Sequence, residues 1–257
     1  MSYQSLRSPV ALFLQLLCLT AMLMPARLVA TDLTGPTSKL VDAIGRGDVA
    51  AARTAIEARA DINADVGEGR TPLITAVMFA RPGIVRLLLE RGADPRKQAD
   101  DPRVGNAVTA AFTAMNGVEL TWRADEPDAQ RREAAVEVLR LVAARKADLN
   151  LLMRRATSHY TPLMLAAEAG ALDAVEILLA AGADPNVANG GKYTALDFAV
   201  DDPPIWSQAP RGDRVAVVRA LLKAGARTDR KGADGLTPAQ RAARAGSPEI
   251  RKLLAGG

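Results

Sequence analysis

The stretch Thr161-Pro-Leu-Met-Leu-Ala-Ala-Glu-Ala-Gly-Ala-Leu-Asp-Ala-Val-Glu-Ile-Leu-Leu-Ala-Ala-Gly-Ala-Asp-Pro-Asn186 predicts two short helices joined by a tight turn. Thr161 can cap the first helix through its hydroxyl oxygen, and Pro162 suits the first helical position because no N–H bond is needed there. Gly170 allows the turn between the two helices. Gly182 can adopt the left-handed conformation that ends the second helix. Apolar residues at helical spacing give each helix one buried face.

This unit resembles an ankyrin repeat. The matching residues are Thr161-Pro162-Leu163, Gly170, Ile177-Leu178-Leu179 and Gly182-Ala183-Asp184-Pro185-Asn186. Met164 stands where the family usually has a histidine that bridges neighbouring backbones, so we expect one local hydrogen bond to differ. The resemblance implies an all-α solenoid of stacked helix-turn-helix repeats. It also implies a role in protein recognition without catalysis.

The same pattern recurs over residues 38–257, which we interpret as one ankyrin-repeat domain after a linker at 31–37. The predicted helix starts are Ser38, Thr71, Asn106, Thr161, Thr194 and Thr237. The intervals from Ser38 to Thr71 and from Thr161 to Thr194 are both 33 residues, the period of this family. We therefore predict about six repeats. The first and last are expected to be atypical because each exposes one flank to water.

Inserted loops are predicted in repeats 3 and 5, between the two helices of each repeat. The first adds about 19 residues over roughly 117–131, and the second adds about 10 centred on 201–212. Each contains one of the two tryptophans, Trp122 and Trp206. Tryptophan is frequent among interface hot spots, so both are candidate partner-binding residues. The alternative is that each ring packs over its own insertion.

The loops between consecutive repeats, here called fingers, contain many cations. Those assigned as candidate partner-binding residues are Arg96, Lys97, Arg154 and Arg155. A positive strip along one edge would favour a partner with an acidic surface. The alternative is ordinary solubilising charge diluted by nearby acids. Tyr160 and Tyr193, which precede two of the helix starts, complete this candidate set.

Met78 and Phe79 occupy the predicted end of the first helix of repeat 2. Repeat 4 has Glu168 and Ala169 at these positions, so bulky apolar side chains are not required there. The pair is a candidate apolar anchor on the concave side. The alternative is that Phe79 fills space beside the following turn.

The chain lacks a recognisable catalytic or metal-binding pattern. His159 is the only histidine, and we expect it to be solvated in a finger. The acids Asp201 and Asp202, and those from Asp125 to Asp128, lie in the inserted loops and are interpreted as solvated. We therefore predict no catalytic residue, no cofactor and no metal.

Residues 1–30 are typical of a secretory signal. Arg7 precedes an apolar run from Val10 to Met24 that is too short for a comfortable membrane span. We predict cleavage after Ala30, a periplasmic location and no membrane span in the mature chain. The alternatives are secretion, or anchoring by an uncleaved signal. Cys18 is the only cysteine, so the mature chain would have none.

The expected partner is an unidentified protein, bound by a chain that is a monomer on its own. The formal net charge is +4 for the whole sequence and would be +2 without Arg7 and Arg27 of the leader, and a charge this small argues weakly against a dedicated nucleic-acid binder. The predicted function is a non-catalytic binding module or scaffold of the cell envelope, acting through its concave face, fingers or inserted loops. The alternative is an inhibitor or immunity protein that blocks a toxin or envelope enzyme.

Overall fold

In the part of the chain that the structure describes, twelve helices follow one another in six pairs. The structure is a computed structural model. It describes residues 35–100, 104–115, 128–145, 147–155, 158–201, 213–245 and 247–255. The pairs are α1 (Pro36–Arg46) with α2 (Val49–Glu57), α3 (Pro72–Met78) with α4 (Pro82–Glu90), α5 (Ala107–Met115) with α6 (Asp128–Ala143), α7 (Pro162–Ala169) with α8 (Leu172–Ala180), α9 (Ala195–Val200) with α10 (Arg214–Lys223), and α11 (Pro238–Ala245) with α12 (Pro248–Ala255).

The helix pairs stack in a row. Each first helix contacts the first helix of the next pair, and each second helix contacts the next second helix. The interior consists mainly of Leu, Val, Ile and Ala, and the equivalent residues Leu73, Leu163 and Leu196 of three first helices are at most 1% exposed. Because these helices are too short to be stable alone in water, burial between neighbours stabilises them. The predicted all-α solenoid is confirmed.

Threonine caps start the first helices where the sequence predicts them. Thr71 and Thr161 each accept a hydrogen bond at 3.2 Å from the backbone N–H three residues later. The predicted starts are confirmed for every pair except the first. There, α1 begins at Pro36 rather than after Ser38, because Gly35 takes a left-handed φ of 69° and proline occupies the first helical position.

Asparagine side chains link successive fingers. The Oδ1 atoms of Asn63, Asn150 and Asn186 accept backbone N–H bonds at 2.9–3.0 Å from the following finger. The Nδ2 atom of Asn186 also donates to the carbonyl of Gly225 at 3.0 Å. These bonds fix the spacing of the fingers.

Part of the first predicted insertion is helical. The prediction of a loop over 117–131 is wrong at its end, because α6 begins at Asp128 and runs for 16 residues. The residues from Ala129 to Ala135 are mostly good helix formers, and they extend the helix towards its N-terminus. Residues 116–127, with Trp122, and 202–212, with Trp206, lie outside the described residues.

The finger between the third and fourth pairs contains a short hairpin. Strand β1 (Met153–Arg155) pairs antiparallel with β2 (Ser158–Tyr160), and Arg154 lies opposite His159. His159 is exposed, as predicted, but it lies in a strand. Just after the hairpin, the Thr161 N–H donates to Met164 Sδ at 3.4 Å, so the methionine provides a sulfur acceptor inside its own repeat.

Within the described ranges, no helix combines the length and apolar character needed to cross a bilayer.

Candidate functional site

Three aromatic rings and one guanidinium form a continuous column across the last three pairs. The ring centroids of Tyr160 and Phe198 are 5.0 Å apart, and those of Phe198 and Tyr193 are 6.3 Å apart. The Arg241 guanidinium carbon lies 4.8 Å from the centroid of Tyr193. We call these four residues the aromatic column. All three rings are partly exposed.

The repeat geometry builds the column from two equivalent positions. Tyr160 and Tyr193 each precede a helix-capping threonine, whereas Phe198 and Arg241 are each the fourth residue after a cap. The residue before one cap therefore contacts the fourth residue of the next first helix. The sequence prediction included Tyr160 and Tyr193 and missed Phe198 and Arg241. Aligning the repeats on their caps shows that these positions are equivalent, but not that they are in contact.

The ring of Tyr193 is held between two fingers. A Cβ atom added to Gly191 would lie 2.8 Å from Tyr193 Cε2, and one added to Gly232 would lie 2.3 Å from Cε1. The two fingers are also joined by a 2.8 Å bond from the Ala233 N–H to the Gly191 carbonyl. Both edges of the ring thus pack against glycine backbone. Tyr193, predicted as a binding residue, also spaces the fingers.

Arg241 is buried and faces three carboxylates. It is 7% exposed, and it donates from Nη1 to Asp201 at 2.9 Å and from Nη2 to Asp234 at 2.8 and 2.9 Å. Its Nε lies 3.5 Å from Asp197 Oδ1. The other oxygen of Asp197 accepts from the N–H and hydroxyl of Thr194, at 2.8 and 3.0 Å. Thus one cation connects the fifth and sixth pairs.

The cluster contains three carboxylates and one guanidinium, so acidic groups outnumber basic groups in it. Burial raises the pKa of Asp201, and the nearby Arg241 only partly offsets this effect. Burial also acts to raise the pKa of Asp234, but the Leu236 backbone N–H and Arg241 together lower it. The side chains of Asp201 and Asp234 remain 46% and 32% exposed. Negative charge therefore reaches the surface beside the aromatic rings.

The structure places two of the residues that the sequence analysis considered for catalysis, Asp201 and His159. The interpretation of Asp201 as a solvated loop acid is wrong, because it is half-buried and ion-paired with Arg241. Asp202 lies outside the described residues. His159 lies in the exposed hairpin. Across the described part of the chain, no group of three or more His, Cys, Asp or Glu side chains is arranged to hold a metal ion.

The basic fingers are largely occupied by local contacts. Arg96 pairs with Asp94 at 3.0 Å, and this hydrogen bond lowers the pKa of the Asp94 carboxyl. Other finger cations contact neighbours in the same way: Arg70 with Glu68 at 3.2 Å, Lys97 with the Asn63 carbonyl at 2.9 Å and Arg230 with the Asn186 carbonyl at 2.9 Å. The backbone of Arg154 and Arg155 lies in β1. These contacts favour the solubilising interpretation over a continuous positive strip.

Met78 and Phe79 lie at the end of α3, as predicted. Both are partly buried and pack against the core. This placement supports packing as at least part of their role.

A groove of about 820 Å³ lies between the second helices α6 and α8. Its walls include the small side chains of Ala143 and Ala180, with Arg140 and Glu176 among its charged residues. None of the residues that line it belongs to the aromatic column.

Comparison with known proteins agrees with this architecture. Family models described as ankyrin repeats in many copies match residues 40–89 and 150–199. A putative ankyrin repeat protein of Escherichia coli K12, YahD, is 28% identical over 81% of this chain and 90% of its own length. An ankyrin repeat and KH domain-containing protein of Caenorhabditis briggsae is 32% identical over 72% of this chain, but the match spans only 8% of that protein.

Solved structures share the fold. The ankyrin repeat protein EF0377 superposes with a TM-score of 0.66 and 26% identity, over 86% of this chain and 98% of its own. A chain in the complex of the Bdellovibrio bacteriovorus predatory endopeptidase Bd0816 with immunity protein Bd3460 gives 0.61 and 22% identity, over 85% of this chain and 97% of its own. At that identity the likeness extends to the fold alone. Sequence pattern, stacked helix pairs and these matches agree: the chain is an ankyrin-repeat protein.

Proposed function

We propose that the chain is a non-catalytic protein-binding module that receives its partner on the face containing the aromatic column. Ankyrin repeats are generally protein-interaction modules. The observation that supports this particular face is the run Tyr160–Phe198–Tyr193–Arg241, in which partly exposed rings are fixed on a rigid stack. Preorganised aromatic side chains lose little conformational entropy on binding and are frequent interface hot spots.

Site-specific photocrosslinking tests this proposal. A photoreactive residue replacing Lys231, exposed in the finger that contacts Tyr193, should capture a discrete partner in the native cell. The matched control replaces Arg219, which is exposed on the second helix α10. We expect capture from the first position and not from the second. Equal capture at both positions, or at Arg219 alone, would contradict this face as the binding surface.

The captured partner separates the two functional alternatives. A resident envelope protein whose activity is unchanged by binding supports a scaffold. A toxin or hydrolase that loses activity when bound supports an inhibitor or immunity protein.

We further propose that the module works outside the cytoplasm. The support is the leader-like sequence at 1–30, with its apolar run from Val10 to Met24. N-terminal sequencing of the chain from fractionated cells should find Thr31 as the first residue in the periplasmic fraction. An intact leader in the membrane fraction would support anchoring, and an intact leader in the cytoplasm would contradict export.

A further inference from the structure

We infer that the second helices of the last two pairs bind the surface of an anionic phospholipid bilayer. Four exposed cations on α10 and α12 form the binding surface: Arg219, Lys223, Arg251 and Lys252. We call them the C-terminal basic patch. This inference goes beyond the proposed function, because the patch lies on second helices, whereas the aromatic column is built from fingers and first helices.

Positive charge is concentrated at the C-terminal end of the chain. Residues 213–257 contain ten arginines and lysines and four acids, although the whole sequence is nearly balanced, with 33 cations and 29 acids. Such asymmetry of charge along a sequence is typical of a surface that binds a polyanion or an anionic membrane. The six cations outside the patch are Arg214 and Arg241 inside the stack, Arg227, Arg230 and Lys231 in the last finger, and Arg244 on α11.

Two cations of the patch project from α10. Arg219 lies midway between Val217 and Leu221, which are fully buried, so it points away from the core. Lys223 follows Arg219 by one turn and shares its face. Within the described residues, neither side chain forms an ion pair or a hydrogen bond. Like charges four residues apart on a helix repel each other, and an external anion would relieve this repulsion.

The adjacent helix α12 adds the other two cations. It contacts α10 directly. Lys252 lies midway between the buried Ile250 and Leu254, so it too points away from the core. Arg251 is exposed at the position where α10 has the fully buried Val218. The patch therefore extends across two neighbouring helices.

The earlier second helices surround the same outer position with acids. The residues equivalent to Arg219 are Arg53, Arg86, Arg140, Glu176 and Lys252. On α2 and α4, Glu57 and Glu90 follow one turn later, where α10 has Lys223. Arg86 is also paired with Glu137 at 2.9 Å. The outer cations of the first pairs are thus compensated locally, and those of the last two pairs are compensated less.

The acids close to the patch do not cancel its charge. Asp213 and Glu249 lie at the first turns of α10 and α12, and Asp213 caps its helix by accepting the Ala216 N–H at 2.9 Å. Glu176 on α8 and Lys192 in the preceding finger are exposed and opposite in sign. From α9 onwards, the described exposed cations without an ion pair are Arg219, Lys223, Lys231, Arg244, Arg251 and Lys252, against the acids Asp213 and Glu249.

The chemistry of the patch favours a bilayer over a folded acidic protein or a nucleic acid. Neither α10 nor α12 contains an aromatic residue that could act as an interface hot spot or stack on a base. The groove between α6 and α8 does not include any residue of the patch. Clusters of about four to eight lysines and arginines on a helical surface attract anionic headgroups without requiring a fixed binding geometry.

Cosedimentation with vesicles tests the inference on the chain from Thr31 onwards, which contains all six pairs. One set of vesicles contains equal parts of phosphatidylglycerol and phosphatidylcholine, and the other contains phosphatidylcholine alone. We expect binding to the anionic vesicles only, and we expect it to weaken as salt rises. Equal binding to both sets, or binding that is indifferent to salt, would overturn the inference.

Two double variants with the same loss of charge locate the binding surface. Arg219→Gln with Lys252→Gln should lower the partition coefficient roughly 25-fold, about fivefold for each cation removed. The matched control is Arg53→Gln with Arg140→Gln, at the equivalent exposed positions of α2 and α6, and it should change binding less than about twofold. Equal losses in the two double variants would contradict the patch and indicate a response to net charge alone. Thermal unfolding verifies that both variants are folded.

Two further results distinguish a lipid from an acidic macromolecule. Polyglutamate at the same concentration of negative charge should leave the chain on the vesicles. If it displaces the chain, the assignment to a bilayer is wrong. The photoreactive residue at Arg219 should capture no protein, and a discrete protein captured there would also contradict the assignment.

Discussion

At the residue scale, Arg241 joins the last two helix pairs through three carboxylates. The residue is 7% exposed, and its guanidinium lies within 3.5 Å of oxygens from three aspartates. Removing one partner of a buried ion pair typically costs about 3–5 kcal/mol, because an uncompensated charge stays buried. Within the described residues, Asp197 Oδ1 and Arg241 Nε are buried without a hydrogen-bond partner. The cluster is therefore a compromise between attraction and desolvation.

Asp201 and Asp234 are the two aspartates of this cluster that reach the surface. Removing the charge of one should have the opposite effect on the free energy of unfolding from removing the charge of the other. Burial raises the pKa of Asp201 above its ordinary value of 3.8, so the folded state favours its protonated form. The stability from Asp201 is thus full at low pH and is lost as pH rises through its folded pKa. At pH 7, Asp201→Asn should leave the free energy of unfolding unchanged or increased. The measurement is urea unfolding at pH 7 and at pH 4.

The contribution of Asp234 to stability depends on pH in the opposite direction. Its pKa is lowered, so its ionised form stabilises the fold, and that stability is lost as pH falls through its folded pKa. Asp234→Asn should therefore reduce the free energy of unfolding at pH 7, and the difference from the unchanged chain should shrink as pH falls. If Asp201→Asn were the more damaging substitution at pH 7, the assigned balance of burial and attraction would be wrong.

At the element scale, the fingers are positioned by what lies between them. The ring of Tyr193 separates the backbones of Gly191 and Gly232, and the Ala233 N–H bond closes the gap. Fingers without such a ring are spaced by asparagine side chains such as Asn150. The last two fingers are thus linked both by the ring of Tyr193 and by asparagine hydrogen bonds.

A methyl group at Gly232 should disturb this arrangement. Its Cβ would lie 2.3 Å from Tyr193 Cε1, and the opposite edge of the ring is blocked by Gly191. Gly232→Ala should therefore displace the ring, lower the thermal unfolding temperature and weaken partner binding. Gly190→Ala is the matched control, because nothing lies within 4 Å of its added Cβ.

Thermal unfolding and the NMR shift of the Tyr193 ring would measure both variants. Equal effects of the two substitutions would show that Tyr193 does not space the fingers.

At the scale of the whole molecule, each helix pair is stabilised by its contacts with the neighbouring pairs. Salt bridges connect successive second helices: Arg91 to Glu57 at 3.9 Å, Arg86 to Glu137 at 2.9 Å and Arg132 to Asp173 at 3.8 Å. These pairs are exposed, so each contributes little. The apolar contacts between stacked helices contribute most, and a central pair has two neighbours where a terminal pair has one.

Truncating a leucine in a central pair and a leucine in the last pair should therefore have different effects on stability. Leu178, on α8, is fully buried, and Leu178→Ala should cost about 2–5 kcal/mol in a transition that involves the whole stack. Leu254, on α12, is 6% exposed, and Leu254→Ala should mainly release the last pair. Hydrogen exchange should show fast exchange confined to α11 and α12 in the second variant. If hydrogen exchange became faster along the whole chain in both variants, stabilisation of each pair by its immediate neighbours would be contradicted.

Local sequence determined the repeat unit, because its information lies within a few residues. The caps at Thr71 and Thr161, the left-handed glycine at 182 and the apolar stripes act over one or two helical turns, and all were predictable. The helix start at Asp128 also has a local signal, the helix propensity of the residues that follow it. The start at Pro36 has another, a proline at the first helical position. Neither signal is part of the repeat spacing, so the spacing alone does not predict them.

Only the tertiary structure decided which side chains meet across pairs. Arg241 reaches Asp201, 40 residues away in sequence, and Phe198 reaches Tyr160 on the preceding pair. None of these residues belongs to a local motif, and their neighbours depend on how far each pair rotates and shifts along the stack. The sequence by itself determined that short helix pairs stack in a row, because cap and apolar spacing repeat. The structure decided that aromatic rings and excess carboxylates share one face, since stacking sets the contacts between positions that no short motif connects.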